Sequence, residues 1–210
     1  MTISTRNLEG LPDVFRLRRL VQSLAMLDAI LMPEWQHRYY SFNAHWRPGE
    51  MMGSMRDGSG DELFALFTMH GAFLKGFAHE SDAAAIPSQY FYRDLPIQFQ
   101  QSSREAAFAP DDVTFCVWRL IDEPHWSCSK VALSTCYDAD GSADMLPMLD
   151  GVPGTYRVWA TEYYGRDIPL QAIDSVYQHR PLTEQLVVAL NPRQSLHRLN
   201  SEIVAIGYSV

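Results

Sequence analysis

Four short apolar segments between residues 38 and 77 follow one another with only tight turns between them. In the first, residues 38–46, every second side chain is apolar, which is the period of a strand with one buried face. The turns, at residues 47–49, 57–61 and 70–71, carry the glycine, proline and aspartate that reverse a chain. Connections this short exclude crossover helices. The pattern therefore predicts an antiparallel meander with strands at residues 38–46, 50–56, 62–69 and 72–77.

Two further patterns extend this sheet and cover it. Residues 113–121 have apolar side chains on both faces, which is typical of a second central strand. Residues 14–32 carry an apolar stripe at steps of three and four, with Asp13 as cap and Pro33 at the end, and they predict an amphipathic helix. Between the meander and the later strand, prolines break the pattern, and we predict only a helix over residues 95–108.

The last third of the chain has helical periodicity throughout. It predicts a short helix capped by Ser142, a helix that ends at Gly165, and a last helix that starts at Asn191 and Pro192. Grouped strands followed by grouped helices indicate the α+β class. We therefore expect one domain of 210 residues, with the sheet in residues 1–137 and the helical part in residues 138–210.

The charge balance limits the partners of the chain. There are 25 acidic and 17 basic residues, for a formal net charge of −8. Nucleic-acid affinity depends on basic groups that displace counterions, so we predict no nucleic-acid partner. An acidic protein is better suited to a partner protein with a basic surface, because opposite charge speeds the encounter.

Cysteine usage and the missing targeting signals predict a cytoplasmic protein. The three cysteines match no zinc or redox spacing, which fits a reducing compartment. Residues 1–12 lack the basic start and apolar core of a secretory signal. No stretch approaches the ~20 apolar residues that span a bilayer, so we predict no membrane association.

The first candidate site is the tetrad at residues 79–82, with the sequence His-Glu-Ser-Asp. It resembles the start of a zinc-protease helix, but the second histidine is missing because Ala83 stands in its place. Two interpretations stay open: a capped turn that starts a short helix, or a general acid–base site. In the second, a small hydrolase or transferase gathers its candidate residues in one cleft: His79, Glu80, Asp82, Asp57 and Asp61.

Other motifs predict neither a metal nor a cofactor. The acidic loop of residues 138–144 lacks the glycine at position 6 and the glutamate at position 12 of an EF-hand. No pair of the seven histidines has the i, i+4 spacing of a zinc-binding helix. Nucleotide-binding glycine motifs and the G-x-S-x-G turn of serine hydrolases are also absent from the sequence.

An aromatic stretch interleaved with arginine forms the second candidate site. Residues 35–46 contain two tryptophans, two tyrosines and a phenylalanine, next to Arg38 and Arg47. This composition is typical of a protein-binding hot spot, with the Tyr39 side of the strand exposed. Core packing explains the same aromatic residues without a partner. The candidate binding residues are Tyr39, Arg38, Arg47, Asp57 and Asp61.

Several runs of the chain resemble a family of bacterial proteins of unknown function. These runs are residues 38–43, 52–62, 75–81, 114–119 and 176–183. The resemblance covers nearly the whole chain. It implies a bacterial, cytoplasmic protein that folds as one unit, and it implies no activity, ligand or catalytic residue.

Two functional hypotheses follow from these patterns. The first is a non-enzymatic interaction protein, for example one that neutralises a toxin (immunity type), supported by the negative charge and the missing catalytic signature. The second is the small hydrolase or transferase built on His79, which sequence does not separate from a ligand-binding sensor. It requires that His79 lie within about 8 Å of a carboxylate other than that of Glu80.

Overall fold

The strands form one antiparallel meander in which each strand pairs with the next along the chain. The computed structural model describes residues 2–208. The strands are β1 (Tyr40–Arg47), β2 (Glu50–Arg56), β3 (Glu62–Thr68), β4 (Gly71–Phe77), β5 (Phe115–Leu120) and β6 (Ser127–Cys128). Their order across the sheet is β1-β2-β3-β4-β5-β6. The predicted α+β class, the meander and the later central strand are confirmed, whereas the two-residue β6 has no counterpart in the prediction.

The N-terminal helix, α1 (Val14–Leu31), packs on β1 and begins where the sequence predicts. Asp13 Oδ1 accepts the N–H of Arg16 at 2.9 Å, so the predicted cap is confirmed. The helix is more buried than its amphipathic pattern suggests, since Gln22, Ser23 and Asp28 are buried as well. Gln22 donates to the Ile206 carbonyl, and the Ser23 hydroxyl donates to the Val176 carbonyl. Protein therefore covers the C-terminal half of α1 on the side that we expected to be polar, whereas the arginines of its first turns include exposed ones.

The C-terminal helices and α1 enclose a core on one face of the sheet. These helices are α2 (Ser142–Met145), α3 (Pro153–Tyr164), α4 (Leu170–Tyr177), α5 (Glu184–Leu190) and α6 (Asn200–Ile206). Gly165 ends α3 in the left-handed conformation, with φ of 63°, as predicted. The buried cluster joins side chains of the strands to side chains of every helix. The sheet-containing and helical parts of the chain therefore share one core.

Two predicted helix starts are wrong. Gly141, not Ser142, caps α2, because the N–H groups of its first turn are already bound by the carboxylate of Asp138. The helix predicted from Asn191 onward begins only with α6. The Asn191 Oδ1 accepts the N–H of Arg193 at 3.1 Å, as a cap would, and its Nδ2 donates to the Ile30 carbonyl at 2.7 Å. The chain makes only a turn there and becomes helical from the 3₁₀ helix Leu196–Leu199 onward, so a local cap is not sufficient to start the helix.

Irregular chain, not a helix, covers the second face of the sheet. Residues 81–113, which we call the covering loop, contain short 3₁₀ turns at Asp82–Ala85, Ser88–Tyr90, Ile97–Phe99, Ser102–Arg104 and Ala106–Phe108. The helix predicted over residues 95–108 is therefore wrong. Pro96 has an extended ψ of 147°, and no large apolar side chain between Phe99 and Phe108 would hold a helix on the sheet.

Within residues 2–208, no helix is both long enough and apolar enough to cross a membrane. The longest one, α1, contains the buried polar side chains of Gln22, Ser23 and Asp28.

Candidate functional site

Five of the predicted site residues lie at one end of the sheet. Asp57 and Asp61 bound the turn between β2 and β3, His79 and Glu80 follow β4, and Tyr39 precedes β1. The antiparallel pairing brings these three chain segments together. The backbone N–H of His79 donates to Asp61 Oδ1 at 2.9 Å across this end. We call the end formed by these five residues the acidic end.

The carboxylate of Asp57 organises the β2–β3 turn. Its Oδ1 accepts the backbone N–H groups of Ser59, Asp61 and Gly60 at 2.8, 3.0 and 3.1 Å, and its Oδ2 accepts the Ser59 hydroxyl. Partial burial raises the pKa of Asp57, but these hydrogen bonds outweigh it, and the net pKa lies below the ordinary value. The turn therefore presents a carboxylate that is ionised at neutral pH.

His79 and Asp61 form the hydrogen-bonded pair that the acid–base hypothesis requires. His79 Nδ1 lies 2.7 Å from Asp61 Oδ1, and Nε2 lies 3.8 Å from Glu80 Oε1. The imidazole is 38% exposed. The hydrogen bond with Asp61 raises the pKa of His79, and the charges of Asp61, Glu80 and Asp57 act in the same direction. Protonated His79 therefore partly neutralises the acidic end.

We expect the pKa of His79 to lie above its ordinary value of 6.5 and to fall when Asp61 is replaced by Asn. The Asp61 carboxylate accepts a hydrogen bond from the protonated His79 ring and stabilises it, so replacing Asp61 removes the main cause of the raised pKa. The measurement is a titration of the His79 ring protons by NMR. Glu80→Gln is the matched control and has a smaller effect, because Glu80 is 89% exposed and more distant. An unchanged pKa in Asp61→Asn contradicts the assignment.

Three other predicted residues do not join this end. Asp82 accepts the Ser134 hydroxyl at 2.7 Å in the loop before α2. Arg38 is an internal anchor: its side chain is 6% exposed and its Nη1 lies 2.8 Å from Glu202 Oε2. Arg47 lies at the opposite end of β1 and pairs with a glutamate of the covering loop. None of these three side chains contacts the His79–Asp61 pair.

Tyr39 is half-buried, not on an exposed strand face as the sequence suggested. Its ring packs against Trp159 and Tyr163 of α3, with centroids 4.8 and 5.5 Å away. Trp159 and Tyr163 stack on each other at 4.9 Å with planes 15° apart. Tyr163 is 45% exposed. These three rings, which we call the aromatic patch, place half-exposed aromatic surface beside the acidic end.

Carboxylates border the aromatic patch. Burial raises the pKa of the Tyr39 hydroxyl, and the charges of Asp57, Asp144 and Asp61 raise it further. Burial also raises the pKa of Tyr163, followed by the charges of Asp28 and Asp57. The backbone shows the same placement, because the N–H of Arg56, next to Asp57, donates to the Tyr39 carbonyl at 2.9 Å. We call Asp57, Asp61, Asp144 and Glu80 the acidic rim; within residues 2–208 none of them pairs with an arginine or lysine.

The loop of residues 138–144 brings Asp144 to this end. Gly141 has φ of +78°, and a Cβ on it would lie 2.2 Å from the Cβ of Ala78, so the loop approaches the end of β4 as closely as only glycine allows. Asp140 is buried, and its oxygens accept hydrogen bonds from Ser142 and Thr5. Within residues 2–208, no group of three or more His, Cys, Asp or Glu side chains has the geometry of a metal site.

Asp28 is the residue that sequence reasoning missed most clearly. It is fully buried in α1, and its Oδ2 accepts the N–H groups of Tyr39 and Tyr40 at 2.9 and 2.8 Å. Its Oδ1 accepts the hydroxyl of Tyr156 in α3 at 3.0 Å. Burial raises its pKa from 3.8 to about 6. Asp28 therefore ties the start of β1, next to Tyr39, to the helix that carries Trp159.

Lys75 is a second buried charge that the sequence gave no reason to single out. It is 1% exposed, its Nζ donates to the Phe108 carbonyl at 2.7 Å, and Glu62 Oε1 lies 4.0 Å away. Burial lowers its pKa to about 8. The amine fastens the covering loop to β4, and it is not accessible to a substrate.

Five surface clefts of the described chain have volumes between 240 and 500 Å³. His79, Asp61 and Glu80 line none of these five. The acidic end is a surface of partly exposed rings and carboxylates on an α+β scaffold. The chain matches no family model, no curated protein and no solved structure. The resemblance to a bacterial family stays a prediction.

Proposed function

We propose that the chain is a non-enzymatic interaction protein of the bacterial cytoplasm that docks a basic protein surface on its acidic end. Neutralisation of a toxin, as by an immunity protein, is one concrete form of this role. The observation that carries the proposal is the aromatic patch of Tyr39, Trp159 and Tyr163, which is half-exposed and lies beside carboxylates that no arginine or lysine of the described chain pairs with.

The two parts of this surface would contribute differently to binding. Tyrosine and tryptophan are enriched at interface hot spots, because they bury a large, rigid area and lose little conformational freedom. The surrounding carboxylates attract a basic partner and orient it before contact. The net charge of −8 acts in the same direction at longer range.

A site-specific photo-crosslinker tests this docking in native host cells. We place it at Glu162, an exposed residue of α3 beside Tyr163, and, as control, at Met69, which is 80% exposed in the turn between β3 and β4 at the opposite end of the sheet. We expect one protein, rich in lysine and arginine, to crosslink from position 162 and not from position 69.

Three outcomes oppose the proposal: no crosslinked protein from position 162, an acidic partner, or equal yields from both positions. Equal yields would indicate that a protein is crosslinked because it is abundant in the cell, and not because it binds one surface of the chain. Because both positions are exposed, the substitutions leave the fold intact, and a negative result is not a folding defect.

The alternative function is a small hydrolase or transferase that uses His79 as general base. The hydrogen bond of 2.7 Å between His79 Nδ1 and Asp61 Oδ1 favours it, because a carboxylate orients the ring and supports its protonation. The His79→Gln variant separates the two functions. A hydrolytic activity of the pure protein that His79→Gln abolishes supports the enzyme, whereas docking that survives the substitution supports the interaction protein.

A further inference from the structure

Exposed apolar side chains surround a small cleft at the end of the sheet opposite the acidic end. The cleft has a volume of about 240 Å³, and its walls come from α1, from the turns before β2 and β4, and from the residue after β5. Among these wall residues, Phe15 is 58% exposed, Met69 80% and Ile121 37%. Exposed apolar side chains from separate segments that meet at one cleft are typical of a binding site.

The floor of the cleft belongs to the core between α1 and the sheet. Met51 of β2 lies opposite Phe67 of β3 in the antiparallel register, so both side chains lie on the same face of the sheet. Phe67 and Val14 are buried in the core that also contains α1. Paired strands and a packed helix therefore build the floor, and the cleft is formed without a ligand.

The polar groups of the cleft favour an anion. Of the described residues that line it, Arg18 is the one with a charge. Arg18 is half-buried, and its guanidinium carbon lies 5.9 Å from the centroid of the Phe15 ring. No carboxylate of residues 2–208 forms an ion pair with it. Thr68 also lines the cleft; its Oγ1 accepts the N–H of His70 at 3.0 Å, and the hydroxyl keeps its own proton to donate.

We propose that this cleft binds a small organic monocarboxylate with an apolar ring, whose carboxylate pairs with Arg18. An apolar cavity of about 150 Å³ holds benzene, so a cleft of about 240 Å³ accommodates a ring with a short acid side chain. A guanidinium binds a carboxylate through two parallel hydrogen bonds. The ring covers Phe15 and Met69 and removes part of their exposed apolar surface from water. This inference goes beyond the proposed function and does not depend on it.

The size of the cleft favours a free small molecule over a segment of a partner protein. A specific protein interface buries about 800 Å² on each partner, which is far more than a cleft of this size supplies. A bound protein segment would also lie against Met69, where the control crosslinker stands. A protein that crosslinks strongly from position 69 would therefore contradict the assignment to a small molecule.

The experiment titrates the full chain with phenylacetate, the neutral phenylacetamide and acetate, each in the millimolar range. The readout is the methyl signal of Met69 in the NMR spectrum of protein with isotope-labelled methionine, assigned with Met69→Leu. We expect phenylacetate to shift this signal saturably. Phenylacetamide keeps the shape without the charge and should bind about fivefold to tenfold more weakly. Acetate has the charge without the ring and should not shift the signal.

Two variants test the role of Arg18. Arg18→Gln removes the cation, so it should weaken phenylacetate binding by about fivefold to tenfold and leave phenylacetamide binding unchanged. Arg16→Gln is the matched control on the same helix. It removes the same charge from a side chain that is 83% exposed and does not line this cleft, so the preference for the acid should persist.

Four results would overturn the inference. They are the absence of a saturable Met69 shift with phenylacetate, equal affinities of the wild type for phenylacetate and phenylacetamide, a preference for the acid that survives Arg18→Gln, and equal responses to acetate and phenylacetate. The last would show that α1 attracts any anion and that the apolar walls do not contribute. Because the amide and Arg18→Gln report on the same charge, a folding defect in the variant cannot reproduce the expected pattern.

Discussion

Replacing Asp28 by Ala should lower the free energy of unfolding by about 3 kcal/mol at pH 7. Three buried donors, the N–H groups of Tyr39 and Tyr40 and the hydroxyl of Tyr156, lose their acceptor. Each loss costs about 1–3 kcal/mol. Removal of a buried charge offsets part of this sum, since a pKa raised from 3.8 to about 6 corresponds to about 3 kcal/mol. Urea denaturation of both proteins measures the difference.

Asp28→Asn is the matched control, because it keeps the shape and removes only the charge. The asparagine oxygen can accept the two backbone N–H groups, and its amide can donate to the hydroxyl oxygen of Tyr156. We expect Asp28→Asn to be more stable than the wild type at pH 7, by up to about 3 kcal/mol, because it removes the buried charge and keeps acceptors for the backbone N–H groups. If Asp28→Ala is as stable as Asp28→Asn, the hydrogen bonds at Asp28 do not hold α1, β1 and α3 together.

The difference in unfolding free energy between the wild type and Asp28→Asn should depend on pH, and the raised pKa of Asp28 gives the sign of this dependence. The folded-state pKa of Asp28 is raised, so the folded protein binds the proton more tightly than the unfolded chain does. The wild type is therefore as stable as Asp28→Asn below pH 3.8, where both side chains are neutral, and it loses stability relative to this variant as pH rises from 3.8 through about 6. The total change is about 3 kcal/mol. A difference that is constant between pH 4 and pH 7 would show that Asp28 does not titrate in this range.

The elements with local signals were predictable from the sequence. The cap at Asp13 and the alternation in β1 are properties of a few neighbouring residues, and both are present in the structure. The covering loop has no such period, because single buried side chains at irregular spacing, such as Ala83, Phe99 and Phe108, hold it on the sheet. Asn191 shows the limit of a local signal. Its Oδ1 accepts the Arg193 N–H as a cap would, but no helix begins there, and the bond from its Nδ2 to the Ile30 carbonyl in α1 has no local pattern.

Part of the site could have been predicted, and part could not. The strand order places Asp57, Asp61 and His79 together, and the sequence does predict that order. The contact of Tyr39 with α3 joins residues 120 positions apart, and no local pattern reports it. Asp28 left a signal that was not used: it continues the apolar stripe of α1 at the spacing of Leu24 and Leu31, where a charged residue needs buried partners.

Neutralising the acidic rim should slow association with the crosslinked partner by about 10–100-fold at low salt. The variant combines Asp57→Asn, Glu80→Gln and Asp144→Asn, which keep side-chain size and remove three negative charges. Rim charges act mainly on the encounter, so the dissociation rate should change little. The effect should shrink at about 0.5 M salt, where such charges are screened. Stopped-flow mixing at several ionic strengths measures both rates.

The control separates the position of the charges from their number. Glu9→Gln, Asp94→Asn and Asp122→Asn remove three exposed carboxylates that lie away from the acidic end, so both variants have a formal net charge of −5, from 22 acids and 17 bases. If only total charge steers the partner, both variants slow equally. If the partner is drawn to the aromatic patch, the rim variant slows far more, since the field of a charge on the path of approach is larger than that of the same charge on another surface.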